Sequence, residues 1–179
     1  MKQNVVVTFA GGCFWCTEAI FKSLKGVSSV IPGYAGGSME HPSYENVSSE
    51  TTGHAEAIQI EFDPSIISYE ELLNVFFATH DPTTPNRQGA DVGSQYRSVI
   101  FHHNDSQRNA AEKKVKELES SKHFDRPIVT QILPFTNFYP AENYHKDYFA
   151  LHQDAPYCQV VIDPKIKKLS RDFKSIVKE

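Results

Sequence analysis

Two cysteines three residues apart flank an aromatic pair in Gly11-Gly12-Cys13-Phe14-Trp15-Cys16. The apolar run Val5-Val6-Val7-Thr8-Phe9 before them reads as a buried strand, and Thr17 to Lys25 after them as a helix with Ala19, Ile20 and Leu24 inward. Cys13 is therefore expected at a strand-to-helix turn, where backbone N–H groups and the helix dipole favour an anion and lower a thiol's pKa. The two glycines allow a sharp turn and leave the sulfur accessible. Cys16 is close enough for a disulfide across the first helical turn, so the pair predicts a reactive thiolate and a resolving partner. Phe14 and Trp15 offer an apolar surface with favourable sulfur–aromatic contacts. The same two cysteines are half of a zinc site, but no second CxxC and no close Cys–His pair completes one.

One carboxyl adds acid chemistry. His54 to Phe62 alternates as a half-buried strand, with Ile58, Ile60 and Phe62 on one face, and Glu56 shares their parity. A desolvated carboxyl has a raised pKa and can act as a general acid. If the strand begins later, Glu56 sits in water or pairs with Arg97 or a lysine instead.

The elements that must position these groups follow from pattern and punctuation. Val27 to Tyr34 reads as a second strand, broken by Pro32 and ended by Gly36-Gly37; residues 38–53 read as a polar, Ser-rich loop. Ser68-Tyr69-Glu70-Glu71 is a capping box that opens a helix to about Ala78. Asp81 to Gln95 reads as a long loop of the functional kind. Tyr96 to His102 reads as a strand, Asp105 to Ser121 as a helix with Ala111, Val115 and Leu118 inward, and Ile128 to Leu133 as a strand stopped by Pro134. Asn143 to Leu151 is expected to be helical and Val160-Val161-Ile162 strand-like. Asp163-Pro164 starts a last helix with Ile166, Leu169, Phe173 and Ile176 inside. Strand, helix, strand, strand, helix, strand is the order of a split βαβ, ferredoxin-like α+β sandwich with a mixed sheet and extra C-terminal elements.

Composition sets the outer bounds. The chain has 179 residues, which predicts one catalytic domain over 1–179 with a sizeable core. A net charge of −4 without a basic cluster argues against nucleic acid as a partner. The N-terminal apolar stretch is too short to span a membrane. Lys2 before it imitates a signal peptide, but cleavage near Ala10 would detach the strand from the cysteine turn. A cytoplasmic monomer is expected. Three cysteines are too few for a disulfide scaffold, so free or catalytic thiols are expected.

Gly12-Cys13-Phe14-Trp15 with Glu18 resembles the active-site motif of the A-type peptide methionine sulfoxide reductases. The resemblance continues through Gly33-Tyr34-Ala35-Gly36-Gly37, Tyr44-Glu45-Asn46-Val47, Gly53-His54-Ala55-Glu56-Ala57, the run from Gln88 to Ser98, and Phe138 to His145. These segments come in family order and span most of the chain. The resemblance implies reduction of the S epimer of methionine sulfoxide, free or in oxidised proteins, with thioredoxin as reductant and no bound cofactor. It makes Cys13 the nucleophile, Phe14 and Trp15 the walls for the substrate methyl, and Glu56 the acid for the sulfoxide oxygen. Tyr44 and Tyr96 become hydroxyl donors to that oxygen, and Asp91 the residue that orders a water. Many members carry glycine where this chain has Cys16 and resolve through C-terminal cysteines; here Cys158 is the one candidate there, open to a structural or a redox role. Two other classes compete. One is a general dithiol–disulfide oxidoreductase using Cys13 and Cys16, the other a metal- or partner-binding module.

Overall fold

A computed structural model describes residues 3–179; Lys2, the cation of the leader-like pattern, lies outside them. The inner sheet order is β6-β1-β3-β2, formed by β1 (Val5–Gly11), β2 (Val27–Ala35), β3 (Ala55–Phe62) and β6 (Ser98–His102). All three inner pairings are antiparallel, the arrangement expected of a ferredoxin-like split βαβ. Two short strands extend the edges. β7 (Gln131–Pro134) runs parallel to β6, and β8 (Phe138–Pro140) antiparallel to β2, so the sheet is mixed.

Period-two alternation divides the sheet's side chains cleanly. Val7 and Phe9 of β1, Val30 of β2, Ile58, Ile60 and Phe62 of β3 and Ile100 of β6 join one core. That core is shared with α1 (Phe14–Lys22), α3 (Tyr69–Thr79), α4 (Asp105–Ser120) and α6 (Asp163–Asp172). Phe9 is its hub, with ring centroids 5.7 Å from Phe21 and 4.9 Å from Phe76. The other face is thin and alanine-rich, Ala10, Ala35, Ala55 and Ala57 with Val99 and Phe101. α3 starts with the expected capping box, Ser68 and Glu71 exchanging side-chain and backbone bonds.

Five readings change in detail. β2 runs unbroken through Pro32, which pairs with Ile58. The Pro32 carbonyl accepts from Ala141 N at 2.9 Å, so its missing N–H faces the same side, one residue before the stretch that β8 pairs. The 38–53 loop contains a helical turn, α2 (Tyr44–Ser48), because Ser43 and Asn46 form a capping box. The 81–95 loop folds into a two-residue hairpin, β4 (Arg87–Gln88) with β5 (Asp91–Val92), then a 3-10 turn, Ser94–Tyr96, which takes Tyr96 out of β6. Asn143–Leu151 splits into a 3-10 turn, Asn143–His145, and α5 (Tyr148–Leu151), because Asp147 between them is left-handed (φ 55°). Residues 160–162 are not strand-like: Cys158–Ile162 forms a π-helical segment running directly into α6. Among the described residues no helix is long and apolar enough to cross a membrane.

Candidate active site

Cys13 caps α1, and its carbonyl accepts from Cys16 N at 3.1 Å. The turn depends on Gly12, whose φ of +91° suits glycine. A Cβ there would also sit 2.6 Å from Gln88 Cγ. Gln88 in turn brackets Asp81, accepting from its N–H at 2.9 Å and donating to its carbonyl at 3.0 Å. The β4–β5 hairpin is thus latched over the cysteine turn, which brings Asp91 to the site.

Alternation puts Glu56 on the helix-side face, beside α1, as its parity predicts. It is 2 % exposed, and its Oε2 accepts from Phe14 N at 3.0 Å. Burial raises its pKa to about 8, against the lowering effect of the Phe14 bond; the nearby Asp91 and Cys16 raise it further. At neutral pH this carboxyl keeps its proton.

The Cys13 thiol departs from expectation. Its sulfur does accept from the Trp15 N–H at the helix start. Burial outweighs that bond, and a hydrogen bond with Cys16 and the Glu56 charge act with burial, so the thiol is pushed well above its ordinary value. Cys16 moves the other way, to about 7, chiefly through its bond with Cys13, aided by the Lys165 charge, against the opposing effects of burial and of Asp91. The donor order is therefore Cys13 S–H toward Cys16, with Cys13 protonated at rest. All three cysteines are free. Cys158 is fully buried and packs with Cys16 and Ile162, while Cys13 and Trp15 border the same cluster.

The predicted oxygen donors converge. Tyr44, at the start of α2, bonds Tyr96 through their hydroxyls. Burial raises the pKa of both, and Glu56 and Cys13, once ionised, act in the same direction. The Asp91 carboxylate lies near Glu56 and accepts at Oδ2 from the Tyr157 hydroxyl at 2.7 Å.

Phe14 is buried, and Trp15 is half-buried in a frame of aromatic residues that single-residue reasoning missed. Its indole stacks on Tyr148 (3.7 Å, 6°), meets Tyr157 edge-on at 5.9 Å, and donates from Nε1 to His145 Nδ1 at 3.0 Å. The His145 ring lies 5.0 Å from Phe14 and 4.7 Å from Tyr44. Glu18 anchors this segment: both its oxygens accept from Asp147 N at 3.1 Å, and Lys22 pairs with both Glu18 and Asp147. Glu142 ties three further pieces together, accepting from the Tyr34 and Tyr144 hydroxyls and from Tyr44 N. Glu142 and His145 stood in a recognised motif without a role. Tyr157 carried one signal, its place directly before Cys158.

The site thus gathers a thiol at a helix start, a protonated buried carboxyl, two tyrosine hydroxyls, an aromatic wall and two further thiols. Such a set can attack an electrophilic sulfur while protonating the oxygen that leaves it. Comparison with known proteins agrees. The pattern of the peptide methionine sulfoxide reductase family matches residues 5–176. A peptide methionine sulfoxide reductase MsrA from Thermus thermophilus is 55 % identical over 173 residues, covering 97 % of each chain. Reduced Mxr1 from Saccharomyces cerevisiae is 35 % identical, with a TM-score of 0.81 over 87 % of this chain and 90 % of that one. Mxr1 in complex with Trx2 aligns at 29 % identity and a TM-score of 0.58 over 80 % of this chain and 84 % of that one. With its cysteine turn, its acid and its aromatic wall all falling inside the matched region, the chain belongs to the peptide methionine sulfoxide reductase family.

Proposed function

We propose that this chain reduces the S epimer of methionine sulfoxide, free or in proteins, with Cys13 as nucleophile and a thioredoxin as final reductant. The observation that carries the reading is the buried Glu56 carboxyl held beside Cys13 by the Phe14 N–H, where burial favours its protonated form. The substrate methyl rests against Phe14 and Trp15. Its oxygen is met by the Tyr44 and Tyr96 hydroxyls and protonated by Glu56. The Cys13 proton passes to Glu56 as the thiol becomes nucleophilic, so a thiol that is neutral at rest is activated only when an oxygen has taken the acid's proton. Methionine leaves, and Cys13 is left as a sulfenic acid.

Cys16 is the first resolving thiol in this reading. It is hydrogen-bonded to Cys13 and has the lower pKa of the pair. Condensation forms the Cys13–Cys16 disulfide and releases water. Cys158, packed on Cys16, then takes over Cys16 as a second disulfide, frees Cys13, and passes the oxidation toward thioredoxin. The Mxr1–Trx2 complex supports a thioredoxin in that last step. This work is protein repair under oxidative stress, in the cytoplasm.

Epimer-resolved reduction, first with dithiothreitol and then with thioredoxin, tests the reading. The S epimer should be consumed and the R epimer spared, and Cys13→Ser should lose all turnover while remaining folded. Comparable rates on both epimers, or turnover by Cys13→Ser, would sink it.

A further inference from the structure

Cys16 is buried, yet a thiol that attacks a sulfenic acid must first lose its proton. The hydrogen bonds around it show where that proton can go. Tyr157 has one hydroxyl proton, and it is donated to Asp91 Oδ2 at 2.7 Å. The 3.7 Å contact between Cys16 Sγ and the Tyr157 oxygen therefore has the thiol as donor. Cys16 S–H, Tyr157 O–H and the Asp91 carboxylate form a directed chain that ends on a base. We propose that Tyr157 and Asp91 are a proton relay that ionises Cys16 for its attack on the oxidised Cys13. Tyr157 touches the reacting sulfur and is catalytic; Asp91 acts through it. The proposal rests on Cys16 being the first resolving thiol.

The step balances. The Tyr157 proton moves to Asp91 as the Cys16 proton moves to the Tyr157 oxygen. The Cys16 sulfur then forms the S–S bond as the Cys13 S–O bond breaks. Glu56 gives its proton to the departing hydroxide, which leaves as water, and Asp91 later returns a proton to Glu56. The other charged or titratable groups near the Cys16 sulfur are Cys13 on the turn, Glu56 from β3, Cys158 from the π-helical segment and Lys165 from α6. Below about pH 8 Glu56 holds a proton of its own and is no base, and Lys165 favours the thiolate but has no acceptor to offer a proton. Asp91 is left as the base.

Single-turnover measurements between pH 5 and 9 test this. Methionine release is followed beside formation of the Cys13–Cys16 linkage, read by peptide mapping, with sulfenic acid trapped chemically. In the unmodified enzyme the linkage rate should be nearly flat with pH over the lower part of this range, below the pKa of Cys16. In Tyr157→Phe, which keeps the edge contact with Trp15, it should rise about tenfold per pH unit up to the thiol's own pKa, as expected when only thiolate reacts. At pH 5.5 linkage should slow at least ~10-fold more than methionine release, and sulfenic acid should accumulate. Asp91→Asn keeps an acceptor for Tyr157 but is not a base, and should give the same profile. A Cys13–Cys16 linkage whose pH profile is unchanged in both variants overturns the relay alone. A dominant Cys13–Cys158 linkage in the unmodified enzyme overturns the Cys16 reading and the relay with it.

Discussion

Glu56 and Cys13 invert the usual assignment of charge in a thiol active site, with both groups protonated at rest. The pH dependence of sulfenic acid formation should therefore fall on the basic side as Glu56 ionises through about pH 8. Glu56→Gln removes the proton donor and that limb together, with a rate loss on the order of 10²–10⁴. Glu56→Ala, which also leaves Phe14 N–H without its acceptor, should lose more. Stopped-time methionine release across pH 5–10 checks this, and a basic limb that survives in Glu56→Gln would assign it elsewhere. At this scale the sequence was legible wherever direction follows from period. The parity of Glu56 with Ile58 and Ile60 placed it against the helices. The acidity of Cys13 was not legible, because the helix-start effect is local whereas the burial that outweighs it comes from the C-terminal segment packed over the turn.

Two elements hold the site's shape, and each gives a testable variant. Glu18 joins α1 to the segment that carries His145 and Tyr148 through Asp147 N and Lys22. Glu18→Ala removes the charged acceptor of the Asp147 N–H and one partner of Lys22, and should cost about 1–3 kcal/mol. It should also raise KM more than it lowers kcat, because Trp15 loses its backing; an unaltered KM would detach that segment from substrate binding. Gly12 carries the hairpin latch. Gly12→Ala adds a left-handed strain of about 1–3 kcal/mol to a close contact with Gln88, which displaces Asp91. Thermal unfolding and turnover should both suffer, and a stable, fully active Gly12→Ala would rule out the latch. Elements with strong period or caps, such as β1, β3, α3 and α4, were readable within a few residues. Those set by distant partners were not: β8 is three residues long and exists by pairing with β2, α5 starts where Glu18 fixes Asp147, and the π turn at Cys158 packs against α1.

At the scale of the whole molecule, two buried groups oppose each other in the response of stability to pH. Glu56 keeps its proton in the fold up to about pH 8, while an unfolded carboxyl loses it near 4.5, so stability falls as pH rises through that window. Burial pushes His80 down to about 4 from 6.5, so it favours the fold above 6.5 and loses that contribution as pH falls toward 4. Each slope is ~1.4 kcal/mol per pH unit, and they cancel between about 4.5 and 6.5. Denaturant midpoints should thus be level there and fall on both sides, with Glu56→Gln flattening the alkaline fall; a midpoint that rises from pH 7 to 8 would contradict the Glu56 assignment, and one that rises as pH falls from 4.5 to 4 the His80 assignment. The cover on Trp15 has a different consequence, in the order of synthesis. The inner strands β1, β2, β3 and β6 are complete by residue 102, whereas His145, Tyr148, Tyr157 and Cys158 follow by more than forty residues. On a ribosome adding 5–20 residues each second, the sheet and the cysteine turn emerge some seconds before their cover. A nascent chain in that interval presents Cys13 and Cys16 without Cys158 and without the aromatic cover, and the full relay of oxidation is in place only when translation has passed Cys158.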